Sequence, residues 1–437
     1  MIRHIRPAVL VSYATFVLVG ISLAASGVLL PSQMAGYGVD RATIGITFFT
    51  GSAGFVLAGM STGMMVHRFG IRITLTTGGG AYALAGLYLA SRPPFAAFVL
   101  AQLVTGFGTG VLESVLNICL ARLPDATTLL NRLHAFFGVG ALAGPPLAAW
   151  ILGFASWTVV WLVLAAACIP LLPCFLLAYP GAEPSAAVPP GPVPSGPVPS
   201  GPVPPGPVPP GPVPPGPEPT GTPAPAREGG LLSTALRDRG ILLGAVMLSV
   251  YVGLELSVGS WGYSYLVQAR ALPQSLASYT VSGYWLGLTL GRFLISPIAT
   301  RVGATTARMM YACLAGIAVA TTLAWVSPTA LACVSLGLLG FFLGPVFPTI
   351  MAIAPQLTQG RLVPTAIGVQ NAGSTVGGSA LPWLAGTISQ NTGMWVLLPF
   401  SLVLALAQFA VWRPIAGRLR RAEPGLRAPR VSGTTRG

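Results

Sequence analysis

The chain has 437 residues, of which 53% are hydrophobic and only 7% charged, and its mean hydropathy is +0.75. Soluble domains carry roughly 25% charged residues, so water is excluded as the main solvent. Its 23 basic residues are all arginine against nine acids, a net charge of +14, but they sit singly between apolar runs and form no nucleic-acid footprint.

Arg3 and Arg6 precede an apolar run near 8–30. That run is too long for a signal-peptide core and long enough to cross ~30 Å of hydrocarbon at 1.5 Å per residue. Further spans follow near 42–66, 73–90, 95–121, 133–154 and 157–179, and six more near 240–267, 277–299, 307–326, 329–353, 364–388 and 394–412. With the N-terminus in the cytoplasm, 19 arginines fall on cytoplasmic segments, Arg292 lies within span 8, and only Arg41, Arg92 and Arg270 lie outside. The positive-inside rule then predicts a multi-pass inner-membrane protein with both termini cytoplasmic. The five cysteines, Cys119, Cys168, Cys174, Cys313 and Cys333, lie inside apolar runs without metal-ligand spacing, so no disulfide, metal or cofactor is expected.

The expected organisation is a six-helix bundle over 1–179, a linker over 180–230, a second bundle over 231–412 and a basic cytoplasmic tail over 413–437. In the linker a five-residue repeat, GPVPP or GPVPS, begins at Gly191, Gly196, Gly201, Gly206 and Gly211. The period rules out collagen, and the proline density favours an extended polyproline spacer. The two bundles echo each other at a constant offset of 233: Gly20 with Gly253, Gly54 with Gly287, Arg68 with Arg301, Gly70 with Gly303, Gly140 with Gly373 and Gly144 with Gly377. The fold class is therefore an all-α membrane protein, twelve transmembrane helices in two parallel six-helix repeats. In that architecture a solute binds between the repeats near the midplane.

After span 2 the chain reads Gly63-Met-Met-Val-His67-Arg68-Phe-Gly70-Ile-Arg72, and Thr300-Arg301-Val302-Gly303 repeats it in weaker form. This resembles the major facilitator signature G-x-x-x-D-R-x-G-x-R, with His67 in the aspartate position. The resemblance implies a conformational latch made of Gly63, Arg68, Gly70, Arg72, Arg301 and Gly303. An ordinary basic turn accounts for one such segment, but poorly for two at the repeat offset.

Only Glu113 and Glu255, among nine acids, fall inside spans. A carboxylate at depth faces a cavity, pairs with a cation or stays protonated, and such residues are candidates for proton coupling. The alternative is a neutral acid bonded to another helix. On span 4, Gly106, Gly110, Glu113 and Asn117 share one helical face, the glycines serving close packing and the polar pair facing a solute. Gln33, Gln370 and Asn371 offer amides for hydroxyl groups. Trp261, Tyr263, Tyr284 and Trp285 offer flat faces for a sugar ring, or act as core and interfacial aromatics. His134 is expected at the cytoplasmic start of span 5, in a helix-end or interhelix bond, and Arg292 is expected to pair with a helix end or snorkel.

The segment G-F-G-T-G-V-L-E-S-V-L-N of span 4 resembles the fucose permease branch of the major facilitators, the fucose-galactose-glucose proton symporters. So do Asn131 to Pro145, Tyr251-Val-Gly-Leu-Glu255 with Trp261, Gly287 to Arg292, Gly344-Pro345-Val-Phe-Pro348-Thr349, and Asn371 to Gly386. The resemblance implies that Glu113 and Asn117 act in substrate binding and proton coupling, and that Glu255 stands where members carry an acid or an amide. One departure is Gly27, at the position of a helix 1 aspartate, so coupling would rest on Glu113 or Glu255. The implied function is proton-coupled uptake of a small polar solute, such as a monosaccharide, by alternating access. Its partners would be that solute, protons and the lipid bilayer, with no nucleic acid and no oligomeric state specified. Proton-driven efflux of amphipathic compounds and a non-transporting membrane sensor or scaffold remain open alternatives. No nucleophile motif or phosphate-binding loop points to an enzyme.

Overall fold

Backbone polar groups buried in lipid must be satisfied within the chain, which leaves helices as the simplest solution. The computed structural model describes residues 2–179 and 228–422, and it is helical almost throughout. The proline repeats and the residues after Ala422 lie outside the described residues. Span 1 is Ile2–Tyr37, and spans 2 and 3 form one run, Ile46–Ala90. Spans 4 and 5 are Phe95–Ala121 and Ala126–Leu152. Span 6 is two helices, Trp157–Cys168 and Leu171–Ala178, separated at Pro170. Spans 7, 8 and 9 are Arg239–Gln268, Gln274–Arg301 and Thr306–Val326. Span 10 is broken at Gly344-Pro345 into Thr329–Leu343 and Val346–Leu357. Spans 11 and 12 are Val363–Thr392 and Leu397–Ala422.

Several boundaries differ from those read in the sequence. Spans 2 and 3 are two helices that meet at a kink instead of a longer loop: Gly70, with a φ of 78° and a ψ of 168°, leaves the helical region and turns the chain within the break read from the sequence. Gly303, its repeat partner, has a φ of 66°. Span 5 starts at Ala126 instead of near 133 because polar residues such as Thr127, Thr128 and Asn131 still favour a helix once a neighbouring bundle supports it. The basic tail expected from 413 is helical through Ala422. Arginines near a helix C-terminus complement its dipole, so charge ends membrane burial without ending the helix.

Glycine contacts make the duplication physical. A methyl group on Gly54 would overlap the Leu103 carbonyl, and one on Gly287 would overlap the Gly337 carbonyl, so spans 2·4 and 8·10 pack in matching registers. The 1·5 and 7·11 pairs do not match as closely. Gly140 approaches Val17, whereas Gly373 approaches Ala245 in place of Val250, the residue an offset of 233 would select. One pair has slid relative to the other by a little more than a helical turn.

Twelve crossings bring residues 2 and 422 to the same end, here the termini end; the opposite end is distal. Span 1 packs on span 7, span 2 on span 11 and span 5 on span 8. Among the described residues, the hydrogen bonds between halves all lie in the distal part, as with Ser282 Oγ donating to the Leu142 carbonyl at 2.7 Å. One hydrophobic core runs through both halves, while Tyr13, Phe16, Leu75, Val111 and Phe175 form a separate core at the termini end of the first half. The halves are thus joined distally and part toward the termini.

Candidate functional site

The site begins with the packing of span 4. Gly106 lies against the Gly51 carbonyl and Gly110 against Phe55 and Ala58, seating span 4 on span 2 and holding Glu113 one turn further on. Glu113 is partly buried. Asn117 Nδ2 donates to the Glu113 main-chain oxygen at 2.8 Å, so this amide is engaged within its own helix.

Glu255 is 8% exposed in span 7, and the Tyr284 hydroxyl donates to its main-chain oxygen at 2.9 Å. Arg292 Nη2 approaches Glu255 Oε1 at 3.5 Å, the one ion pair among the described residues. Arg292 therefore neither caps a helix end nor snorkels, contrary to the sequence expectation; a carboxylate one helix away supplies a partner at depth. Its Nε is buried without an acceptor, as is the Tyr251 hydroxyl.

Spans 5 and 8 cross where Gly138 meets Thr289. One turn toward the termini lie His134 on span 5 and Arg292 on span 8. His134 is about two turns inside its helix, not at its start, and its ring sits edge-on to Phe16 at 5.7 Å. The Arg292 charge acts on both Glu113 and His134 across the division between halves. Glu113, His134, Glu255 and Arg292 thus gather where the bundles begin to separate. In a low-dielectric setting such charges interact strongly and are costly to leave unpaired.

The softer candidates are placed otherwise. Trp261 is fully buried, donates from Nε1 to the Pro382 carbonyl at 2.8 Å and meets Phe48 of the other half edge-on. Tyr263, Tyr284 and Trp285 are also buried, leaving no open ring face in this state. Gln33 is buried, Asn371 is exposed, and Gln370 is fully buried beside Gly244 with both side-chain polar atoms unpartnered. In the latch segments, Arg72 donates to the Tyr179 carbonyl at 3.1 and 3.2 Å, tying span 3 to the end of span 6. Arg68 is exposed over the Phe69 ring, Gly63 and Gly303 face open space, and Arg301 is exposed.

A distal clasp was not foreseen. Arg41 donates to the Ser389 carbonyl at 2.6 Å and to Gln268 Oε1 at 2.8 Å. Gln390 Nε2 donates to Asp40 at 2.6 Å, Ala42 N donates to Gln390 Oε1 at 3.1 Å, and Trp383 Nε1 donates to the Ala42 carbonyl at 3.1 Å. Bonds from Thr43 and Gln390 hold the Asp40 carboxyl below the usual carboxylate range. Arg292 could have been found from its position inside a span. The clasp had no local signal, because its partners lie 227 to 350 residues apart.

A family model described as Major Facilitator Superfamily matches residues 13–278 and 243–433. Bypass of stop codon protein 6 of Saccharomyces cerevisiae is 25% identical over 397 residues, covering 87% of this chain and 76% of its own length. A putative glucose/galactose transporter of Helicobacter pylori is 30% identical over 148 residues, covering 34% of this chain and 35% of its own length. Among solved structures, an inward-facing, unoccupied bacterial homologue of the human lysosomal transporter Spinster superposes with a TM-score of 0.73 at 11% identity, covering 95% and 97% of the two chains. The E. coli fucose:proton symporter gives 0.58 at 15% identity, covering 94% and 98%. With the family matched along most of the chain and the twelve-helix fold in hand, the chain belongs to the Major Facilitator Superfamily, as a membrane transporter rather than an enzyme.

Proposed function

We propose that the protein is a proton-coupled importer of a small, neutral, polyhydroxylated solute, with a monosaccharide as the expected class. The observation that carries this reading is the grouping of Glu113, Glu255 and Arg292 at the point where the two halves part. With both carboxylates ionised the three groups sum to one negative charge, and a single proton brings them to neutrality. A neutral solute and one proton together leave the crevice uncharged, the condition under which moving it through a low-dielectric barrier costs least. The sugar class draws support from the span 4 motif and from the partial likeness to the glucose/galactose transporter. The arginine distribution supports cytoplasmic termini in an inner membrane, which makes the present state, joined distally, the inward-facing one. Glu113 and Glu255 carry the coupling, and Asn117, with Gln33, Gln370 and Asn371, contributes to the solute path as it rearranges.

Proteoliposome counterflow against a panel of monosaccharides tests the reading. Exchange of a sugar, and its accumulation when an inward proton gradient is imposed, is the expected result. Extrusion of an amphipathic dye with no sugar exchange would replace this reading with efflux, and activity toward neither would remove the transport assignment of substrate and ion.

A further inference from the structure

Where the bundles part, one guanidinium lies beside Glu255 and within electrostatic reach of Glu113, and the contact it makes does not satisfy it. Arg292 gives Glu255 a single 3.5 Å contact, long beside the roughly 2.7–2.9 Å of a charge-assisted bond, and its Nε is buried without an acceptor. Its side chain is 30% exposed against 11% for Glu255, so it fronts the crevice with the acid behind it. Across the crevice, the Glu113 carboxylate accepts no hydrogen bond among the described residues, and Arg292 is the cation that acts on it. Span 4 makes at most a glancing contact with span 8, whereas span 5 packs on it through Gly138 and Thr289 just distal to Arg292. That crossing is a natural fulcrum: closing the termini end about it swings Glu113 toward Arg292.

We propose that Arg292 is the positioning residue of proton coupling, a shared counter-ion held by Glu255 while the termini end is open and drawn to ionised Glu113 as that end closes. Protonating Glu113 removes the pull across the crevice, so acid favours the state seen here and alkali the closed one. The titratable groups facing Arg292 are Glu113 from span 4, His134 from span 5, and Tyr251 and Glu255 from span 7, with Tyr284 alongside on span 8. The inference rests on the proton-coupled reading but needs no solute for its test.

Spin labels on exposed residues of the two halves at the termini end, Thr128→Cys and Gln359→Cys, report that opening in lipid nanodiscs, with the five native cysteines replaced. Between pH 5 and 8 and without solute, the ratio of open to closed distances should fall as pH rises, by about tenfold for each unit by which the two states differ in Glu113 proton affinity. Arg292→Gln should flatten the change to less than about twofold, Arg292→Lys should keep it, and His134→Gln should leave it in place. The double variant Glu255→Gln/Arg292→Gln removes the contacting pair together, and a flat response there with wild-type thermal unfolding shows that the loss is not misfolding. A wild-type ratio that ignores pH, or an Arg292→Gln variant that titrates like wild type, overturns the proposal. Loss of the response in His134→Gln alone moves the titrating role to that residue and overturns it as well. A wild-type protein that titrates as expected yet accumulates no sugar under a proton gradient refutes the transport reading and leaves the counter-ion standing.

Discussion

Glu113 and Glu255 are both intramembrane acids, but their surroundings separate their roles. Glu255 has a cation beside it within its own half, whereas Glu113 faces the division between halves without a bonded partner among the described residues. A coupling group has to change its protonation during the cycle, and the acid without a fixed counter-ion is the freer to do so. Glu113→Gln imitates the protonated form at nearly constant size and hydrogen-bonding reach. Gradient-driven accumulation should therefore fail, while counterflow, which moves no net proton, should persist at about a tenth of wild type or better, a loss of no more than roughly 1.4 kcal/mol. Glu255→Gln should retain part of its accumulation but lose thermal stability, because the guanidinium it strands cannot discharge by losing a proton. Measuring both transport modes on both variants checks the assignment, and accumulation at wild-type level in Glu113→Gln would contradict it.

At the scale of elements, the two ends of the bundle are in opposite conditions. The distal clasp joins the short segment Asp40 to Ala42 to the end of span 11 and to Gln268 of span 7, with Arg41 donating to a carbonyl near a helix C-terminus where the dipole favours a cation. Arg41→Ala should remove about 1–2 kcal/mol of distal closure, reducing the distally closed to distally open ratio about 5- to 30-fold in distance measurements across that end. The Asp40 carboxyl is held low in the clasped state by its hydrogen bonds and returns toward its ordinary value when they break. Its contribution is complete above the ordinary value near 4 and is lost as pH falls through the lower clasped value, so Asp40 should add no pH dependence of its own to distal closure between pH 5 and 8. A distal transition in that window should follow the termini end and flatten in Arg292→Gln, and one that persists in that variant would place a second titrating group in the cycle. At the termini end, Arg72 is committed within the first half and Arg68 is exposed, so Arg68→Ala should leave this state unchanged and slow its conversion to the other. The spans, the two repeats and the depth of both acids were legible in the sequence because hydropathy and glycine spacing are local signals. Arg292's partner, the depth of His134 and the Asp40–Gln390 clasp were not, since each depends on which helices meet in space.

Across the whole molecule, alternating access requires halves that close at one end and part at the other while each keeps its own packing. Glycines inside the 2·4 and 8·10 pairs bring backbones into contact and make each half a rigid body, whereas the contacts between halves are fewer and concentrated distally. One of those is Gly27 of span 1, which lies against the Gly259 and Ser260 backbone of span 7; a methyl group there would stand 2.6 Å from one carbonyl oxygen and 2.7 Å from the other. Main-chain atoms cannot rotate away as a flexible side chain can, so a larger residue must push the halves apart. The same contact explains why an acid at this position does not suit the present state: it would have to enter a backbone-to-backbone crossing. Gly27→Ala should therefore cost the distally closed state about 1–3 kcal/mol, shifting the population toward the distally open state by roughly 5- to 150-fold. The fold of each half should survive, because no contact within either bundle is touched. Distance measurements across both ends, with thermal unfolding as the control for folding, check this: a distal end that stays closed in Gly27→Ala would mean that spans 1 and 7 move together, and that the hinge between halves lies elsewhere.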